Sequence, residues 1–470
     1  MAKVKIINKF PLLKPRMETT NKSDNVVYFK SHPDNTIWER SEEYVSSEYR
    51  WFPVVLDNKM APWPDGCCFL LSYLKGIAIP DPASLENVAF DLQKFKTWCE
   101  EEDVDYKAVP TFRAARATYK FVRFLSGKIE NSKLSKSTGQ RVLSRVVNFY
   151  RWMSDTGRIN GTDAFFLEKG SFVPINSFSG RMGHRSVNST DLSIYLSRVR
   201  GKSTFGDYII DGRKLRPHNS KERAALRMAL RSSANTEVKL AVSIAISTGA
   251  RLGTVLTLRK GDFVKYLDKN QDFERIRIGG NSLTKNKKNK SMVLLLPRSV
   301  YNSIVDYLRS DRYLSRLSKS NHKYRNGENE FVFLSDRGKA YYVPNFDPGD
   351  LSNYKTLPRG GVFSQMVKRH IQPVFSEHTK DRHFNFHDLR ATFGLLLLDF
   401  ESKRKGLKNL NNQDGTDFFQ ILNIVRERLG HEKLKTTVEY IKYYTNNSPQ
   451  RLVQQDFEDL MLTWLDEVQV

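Results

Sequence analysis

The chain has 470 residues, with 76 lysines and arginines against 52 aspartates and glutamates, a net charge of +24 near neutrality. That length suits roughly two to four domains. The basic excess points to a polyanionic partner, nucleic acid first. Cys67, Cys68 and Cys99 are too few and too badly spaced for a disulfide framework or a zinc site. No signal peptide or membrane span is legible, so the expectation is a soluble, cytoplasmic and nucleoid-associated protein.

In chain order, residues 1–78 read as an appended or arm-type region. Lys3, Lys5, Lys9, Lys14 and Arg16 are followed by an aromatic patch of Trp38, Tyr44, Tyr49, Trp51, Phe52, Trp63 and Phe69. This is either a small subdomain packed on its neighbour or a separate arm. Residues 79–156 read as three or four helices. Ser84 is the expected cap of the first, which carries Leu85, Val88, Ala89, Leu92, Phe95 and Trp98 at helical spacing. Phe112, Ala115, Tyr119, Val122 and Leu125 mark a second, and Val142, Val146, Tyr150 and Met153 a third. Lys94, Arg113, Arg116, Lys120, Arg123, Arg141 and Arg145 decorate these helices, nearly all one sign, as on a face that follows phosphates.

Residues 157–214 are rich in Gly, Ser, Asn and Arg and read as an extended linker, with a strand over Thr204–Ile210. Asn219 or Ser220 caps the entry to a domain spanning 215–447. There Val238–Thr248 is a buried helix ended by Gly249, and Arg251 lies in the connection to a second helix with Leu252, Val255, Leu256 and Leu258. Strands at Arg275–Ile278 and Met292–Leu296 flank a turn carrying Lys285, Lys287, Lys288 and Lys290. Phe331–Leu334 reads as a short strand, 335–361 as a loop-like insertion, and Phe363–Ile371 as a helix. Asn385, with Asp388 three residues on, is the expected cap of a helix burying Phe386, Leu389, Phe393, Leu396, Leu397 and Phe400. Phe418–Leu429 is a helix ended by Gly430, and Thr436 or Thr437 begins a short one bearing Tyr440. Residues 448–470 form a helical tail, acidic on one side, with Val453, Phe457, Leu460, Trp464 and Val468 on an apolar stripe. The fold class is mostly α with a small β-sheet (α+β).

Chemistry gathers near the C-terminus. His387 and Arg390 are i, i+3 neighbours in a first helical turn, where backbone N–H groups favour an anion. His431 follows Gly430 on a turn, and Tyr440 lies nine residues beyond it. Two histidines, an arginine and a tyrosine so placed suit a phosphodiester and a phenolic nucleophile. A phenol ionises near pH ~10, so attack needs a base for its proton and cations for the charge on phosphorus. Tyr443 and Tyr444 compete for this role.

These residues, His387-Asp-Leu-Arg390, Leu429-Gly-His431, Tyr440, the Thr248-Gly-Ala-Arg251 stretch and the lysine hairpin, resemble the ordered motifs of the tyrosine recombinase (phage integrase) family. The likeness covers about 215–445 well, 80–155 loosely and the first 75 residues hardly at all. It implies a helical core-binding domain at 79–156 and a catalytic domain at 215–447. Tyr440 would be the nucleophile, Arg251 and Arg390 would hold the scissile phosphate, His387 would be a general base or phosphate contact, and His431 a hydrogen-bond donor to a phosphate oxygen. Lys285 would protonate the leaving 5′-oxygen, with Lys287, Lys288 and Lys290 as the alternatives for that role and Lys287 and Lys288 as further DNA contacts. Thr254 departs from the family's usual acidic residue. The implied activity is site-specific strand exchange for a mobile element through a 3′-phosphotyrosyl bond. It would need no cofactor or metal and use a tetramer on two DNA duplexes, with accessory DNA-bending factors and a tail either exchanged between protomers or packed on its own catalytic domain. A type IB topoisomerase-like enzyme and a catalytically silent DNA-binding protein are the rivals.

Overall fold

The computed structural model describes residues 1–11, 27–30, 37–40, 48–75, 80–176, 182–194, 208–233, 235–320, 327–349, 351, 354–379, 382–406 and 416–445. They fall into two compact units, residues 1–200 with 354–356, and residues 201–353 with 357–470. The described elements are mostly helices, and the strands pair as two-stranded antiparallel sheets, an α+β chain. No described helix is long and apolar enough to cross a membrane.

In the first unit, β1 (Lys3–Pro11) pairs with β4 (Glu48–Leu56), and β2 (Val27–Lys30) with β3 (Ile37–Arg40). Four helices follow: α1 (Pro64–Ser72), α2 (Pro82–Glu101), α3 (Ala117–Glu130) and α4 (Lys136–Asp155). Tyr49, Phe52, Trp63 and Phe69 share one core with Leu92, Phe95, Phe121, Val146 and Tyr150 of the helices. Rings there meet edge to face, Phe95 on Phe121 at 5.0 Å, the geometry that aromatic quadrupoles favour. Lys14, Arg16, Tyr44 and the side chain of Trp38 lie outside the described residues. Asp81, not Ser84, caps α2, accepting a hydrogen bond from the Ala83 N–H, and Pro82 at the first position presets the helical φ. Phe112 is 74% exposed and precedes α3, which starts only at Ala117. β5 (Glu168–Asn176) pairs with β6 (Met182–Thr190) within the glycine-rich stretch.

The second unit opens with a small hairpin, β7 (Ile209–Ile210) against β8 (Lys214–Leu215). Residues 204–207 of the expected strand lie outside the described residues. Asn219 caps α5 (Ser220–Ser232) in a capping box with Glu222. α6 (Thr236–Thr248) is apolar on nearly every side and buried, and ends at Gly249 in the left-handed conformation with φ 68°. α7 (Leu252–Val255) is one turn only, shorter than expected, and Leu258 lies beyond it. β9 (Phe273–Ile278) and β10 (Met292–Pro297) form the expected hairpin, and α8 (Arg298–Arg309) and α9 (Asp311–Ser318) follow. Phe331–Leu334 is no strand: its ends make isolated bridges to Arg259 and Ala340. Burial of all four side chains explains its apolar sequence. α10 (Gly361–Glu377) runs a turn and a half past the expected end, with Pro373 inside it.

α11 (Asp388–Arg404) corrects the sequence reading twice. His387 holds the cap position, while the Asn385 side chain accepts from the His387 N–H at 3.3 Å and donates to Asp388 at 3.2 Å, an Asx-type turn before the helix. The buried face also differs. Phe386, Leu389 and Phe393 are buried as expected, but Leu396 and Phe400 are 40% and 63% exposed, and Arg390, Ala391, Thr392, Leu398 and Ser402 are buried. Polar groups rotate the helix inward: Thr392 Oγ1 accepts from the His218 N–H at 2.9 Å, and Arg390 finds three acceptors in the interior. α12 (Thr416–Leu429) buries Phe418, Leu422, Val425 and Leu429 as expected. The last described helix, α13, spans 434–445, starting before Thr436. The tail at 448–470 lies outside the described residues.

His218 is 3% exposed, packed against the Phe375 and Phe384 rings, and neither ring nitrogen has a hydrogen-bond partner among the described residues. Burial, reinforced by Arg382, Arg223 and Arg216, pulls its pKa down to about 3. The unfolded chain protonates this histidine near pH ~6.5 and the folded chain does not. Stability is therefore full above that pH and declines as pH falls toward about 3. His218→Phe should flatten this decline, removing a slope of up to about 1.4 kcal/mol per pH unit. Urea denaturation of both proteins at a series of pH values measures it, and an unchanged slope would assign the decline to other groups.

Candidate active site

Arg390 sits at the meeting point of three elements. Its Nε donates to Asp211 Oδ2 at 2.6 Å, Nη1 to the Gly249 carbonyl at 2.9 Å and Nη2 to the Leu429 carbonyl at 2.7 Å. Gly249 closes α6 and Leu429 closes α12. Carbonyls at helix C-termini lack partners within the helix and carry the negative end of its dipole, so a guanidinium is a matched ligand. A side chain at Gly249 would come within 2.6 Å of Phe393 and 2.8 Å of Leu429. That position needs glycine for space as well as for φ.

Asp211 lies at the tip of the β7–β8 hairpin and is 3% exposed. Besides Arg390 it accepts from Arg251 Nη2 at 3.4 Å, His431 Nε2 at 3.2 Å and the Tyr440 hydroxyl at 3.3 Å. Burial alone would raise its pKa. The His431 hydrogen bond and the Arg390 and Arg251 charges outweigh that and hold the carboxyl far below the ordinary carboxylate range.

The other groups are fixed around this carboxylate. Arg251 stands immediately before α7, in extended backbone. His431 bonds Thr437 Oγ1 through Nδ1 at 3.0 Å, so with Nε2–H donating to Asp211 the other nitrogen accepts from the threonine. Burial pulls this imidazole below its ordinary pKa. Tyr440, fully buried, lies with its ring 5.3 Å from that of His431. Burial, opposed by Arg390 and reinforced by Asp211, holds its phenol well above the ordinary value. Of the competing tyrosines, Tyr443 is buried in the α11–α12 core and Tyr444 donates to Asp399 at 2.9 Å. Half-buried His387 is pulled down to about 4 by burial and then by Arg390, with Asp211 opposing.

The lysine hairpin is held differently. The Lys285 N–H donates to Thr257 Oγ1 at 2.8 Å and its Nζ to the Tyr342 hydroxyl at 2.8 Å, without a described hydrogen bond to the Asp211 cluster. Lys288 pairs with Glu432, beside His431, at 2.8 Å, and Lys287 and Lys290 are exposed. Thr254 is buried and lines a cavity of about 10 Å³ with Arg251 and Arg390. An open groove of about 550 Å³ runs past His431, lined by Arg275, Lys290, Arg426 and Arg428 with Glu427 as the acidic member. Among the described residues, no group of three His, Cys, Asp or Glu side chains is placed to hold a metal ion.

In the first unit the basic residues are partly engaged. Arg141 and Lys94 face the buried Asp91, and Arg113 bonds Asp191 at 2.6 Å. Arg116 and Arg123 donate to the carbonyls of Pro110 and Ala114. Lys120 and Arg145 are half-buried.

Sequence reasoning missed Asp211, Thr437 and Tyr342, for which no spacing rule gave a signal. It also passed over Gly394, a glycine inside a helix and thus a hint of close packing. A Cβ there would stand 2.5 Å from Tyr440 Cε1 and 3.0 Å from Leu429 Cδ1. Gly394→Ala should therefore cost about 1–3 kcal/mol from overpacking, against a helix-propensity gain of about 1 kcal/mol. Denaturant titration measures the balance, and a clearly stabilised variant would show that the Tyr440 ring is not seated there.

No family model matches the chain, and no curated protein matches it in sequence. Solved structures do match. It is similar to XerH site-specific recombinase bound to palindromic difH substrate, at 14% identity over 85% of this chain and 90% of that one, TM-score 0.45. It is similar to the Tn1549 transposon integrase in complex with a circular intermediate DNA, at 11% identity over 83% and 99%, TM-score 0.47. A third similar structure is a lambda integrase dimer bound to a COC′ core site, at 14% identity over 81% and 94%, TM-score 0.42.

Proposed function

We propose that the chain is a tyrosine-type site-specific DNA recombinase, with a catalytic domain over 215–447 and its substrate a duplex attachment site. One observation carries this reading. Arg251, Arg390, His431 and Tyr440, spread over the second unit's sequence, all direct a donor at one carboxylate. Four donors converging on an anion, one of them a phenol, suit binding a phosphodiester and attacking it.

In the proposed reaction the two arginines hold the non-bridging oxygens and take up charge as phosphorus becomes five-coordinate. His431 donates to one of these oxygens. Tyr440 Oη forms a bond to phosphorus and its proton leaves to a base, the role of half-buried, neutral His387. The bond from phosphorus to the deoxyribose 5′-oxygen breaks, and Lys285 protonates that oxygen. The product is a 3′-phosphotyrosyl bond, which the 5′-hydroxyl of a partner strand reverses without ATP. The +24 charge and the basic groove beside His431 support duplex DNA as the partner. Two such exchanges on paired duplexes call for four protomers and pass through a Holliday junction. The biological role proposed is integration or excision of a mobile element. Lys94, Arg113, Arg116, Lys120, Arg123, Arg141 and Arg145 are proposed as backbone contacts, of which Lys94, Arg141 and Arg113 must exchange their present carboxylates for phosphate.

Tyr440→Phe should retain DNA binding and form no covalent adduct, read as protein-linked 3′ ends on a denaturing gel with EDTA present. Adduct from this variant would remove Tyr440 from the role. Arg251→Ala should slow cleavage by roughly 100- to 1000-fold.

Lys285→Ala should cleave slowly on ordinary DNA and recover on a substrate with a 5′-bridging phosphorothiolate, whose sulfur leaves without a proton. Arg251→Ala should not recover, because its charge acts on the non-bridging oxygens. Recovery confined to Lys287→Ala or Lys288→Ala would transfer the acid to that lysine.

A further inference from the structure

We propose that Asp211 is a built-in stand-in for the scissile phosphate: its carboxylate holds the anion position until DNA displaces it. The inference rests on the recombinase reading and adds how the site is kept closed. Arg390, Arg251, His431 and Tyr440, the groups proposed to handle the phosphodiester, each spend a donor on Asp211, at 2.6, 3.4, 3.2 and 3.3 Å. A carboxylate and a phosphodiester present the same feature to such donors, two oxygens sharing one negative charge.

The two anions cannot occupy the site together. Asp211, Arg390, His431 and Tyr440 are all 3% exposed or less, the Arg251 side chain is 20% exposed, and the cavity beside the arginines, about 10 Å³, barely admits one water molecule. A second anion would also repel the first at close range in a poorly solvated setting.

The hairpin is built so that its tip can leave while its base stays. Ile209 and Leu215, opposite each other across the strands, are fully buried in the core that also holds Tyr440. Beyond them the tip is Asp211, Gly212 and Arg213. Gly212 has φ 73°, a side chain there would touch nothing among the described residues, and the Asp211 N–H donates to the Arg213 carbonyl at 3.1 Å. Swinging the carboxylate out breaks its four hydrogen bonds, which a phosphate then replaces. The exchange trades like for like, whereas the arginines and histidine are never left buried without an acceptor.

The alternative is that Asp211 stays in place beside bound DNA as a permanent support for the arginines. Sulfate separates the two with the full chain and without DNA. Thermal unfolding of the wild type and of Asp211→Asn is followed against sulfate, with chloride at matched ionic strength as control. The surrogate role predicts that sulfate stabilises Asp211→Asn at concentrations roughly tenfold or more below those the wild type needs, about 1.4 kcal/mol or more in binding. Adding Arg251→Ala to Asp211→Asn should abolish the effect. If Asp211→Asn does not fold in chloride, sulfate should restore its fold, because the oxyanion replaces the missing carboxylate. Equal response of wild type and variant, or no rescue of an unfolded variant, overturns the proposal. Neither readout depends on strand cleavage. A positive sulfate response without phosphotyrosyl adduct would leave the anion site standing and remove the recombinase reading, and the reverse pair of results would do the opposite.

Discussion

The ion pair between Arg390 and Asp211 is the interaction on which the second unit's centre depends. Each partner is nearly inaccessible to water, so each would be costly to bury alone. Arg390 meets the cost with three acceptors, two of them carbonyls at the ends of α6 and α12. Asp211 meets it with four donors drawn from α11, α13, the turn after α12 and the turn before α7. A buried pair of this kind is weak evidence for stability, since well-packed apolar side chains often do as well. What it provides is position. Four stretches of chain far apart in sequence are fixed against one another by directional bonds that apolar contact does not supply.

Electrostatics follow from that arrangement. Against its burial, the His431 hydrogen bond and the arginine charges drive the Asp211 carboxyl far down, whereas burial first, and then the Arg390 charge, pull His387 and His431 below their ordinary values. A neutral imidazole can accept a proton or donate one hydrogen bond without adding a third positive charge. For a site proposed to receive a phosphate and pass a proton, two fixed cations with two neutral histidines divide the labour sensibly.

Much of the fold was legible because the helices obey simple rules. Val142, Val146, Tyr150 and Met153 on α4 repeat at helical spacing and are fully buried, and Asn219, one of the two expected caps, closes a capping box with Glu222. The later turns of α11 were misread because its apolar residues lie on more than one side: Leu389 and Phe393 are buried as expected, and Arg390 and Thr392 share the inward face through their hydrogen bonds. The candidate site divides similarly. Arg251, His387, Arg390, His431 and Tyr440 carry recognisable spacing, but Asp211 lies between two-residue strands, 229 positions from the tyrosine it contacts. Tertiary packing alone makes that aspartate part of the site. Thr437, which orients His431, is one of many threonines in helices and is marked only by its hydrogen bond.

Gly394 shows how finely the tyrosine is placed. The absent side chain leaves a notch on α11 into which the Tyr440 ring fits, next to Leu429 at the end of α12. A one-residue slip of α13 would offer Glu439 or Ile441 to that notch instead, a charge or a branched chain where a flat ring is required. The notch therefore acts as a ratchet tooth for the helix register. It sets where along α13 the hydroxyl emerges, independently of the electrostatics around it.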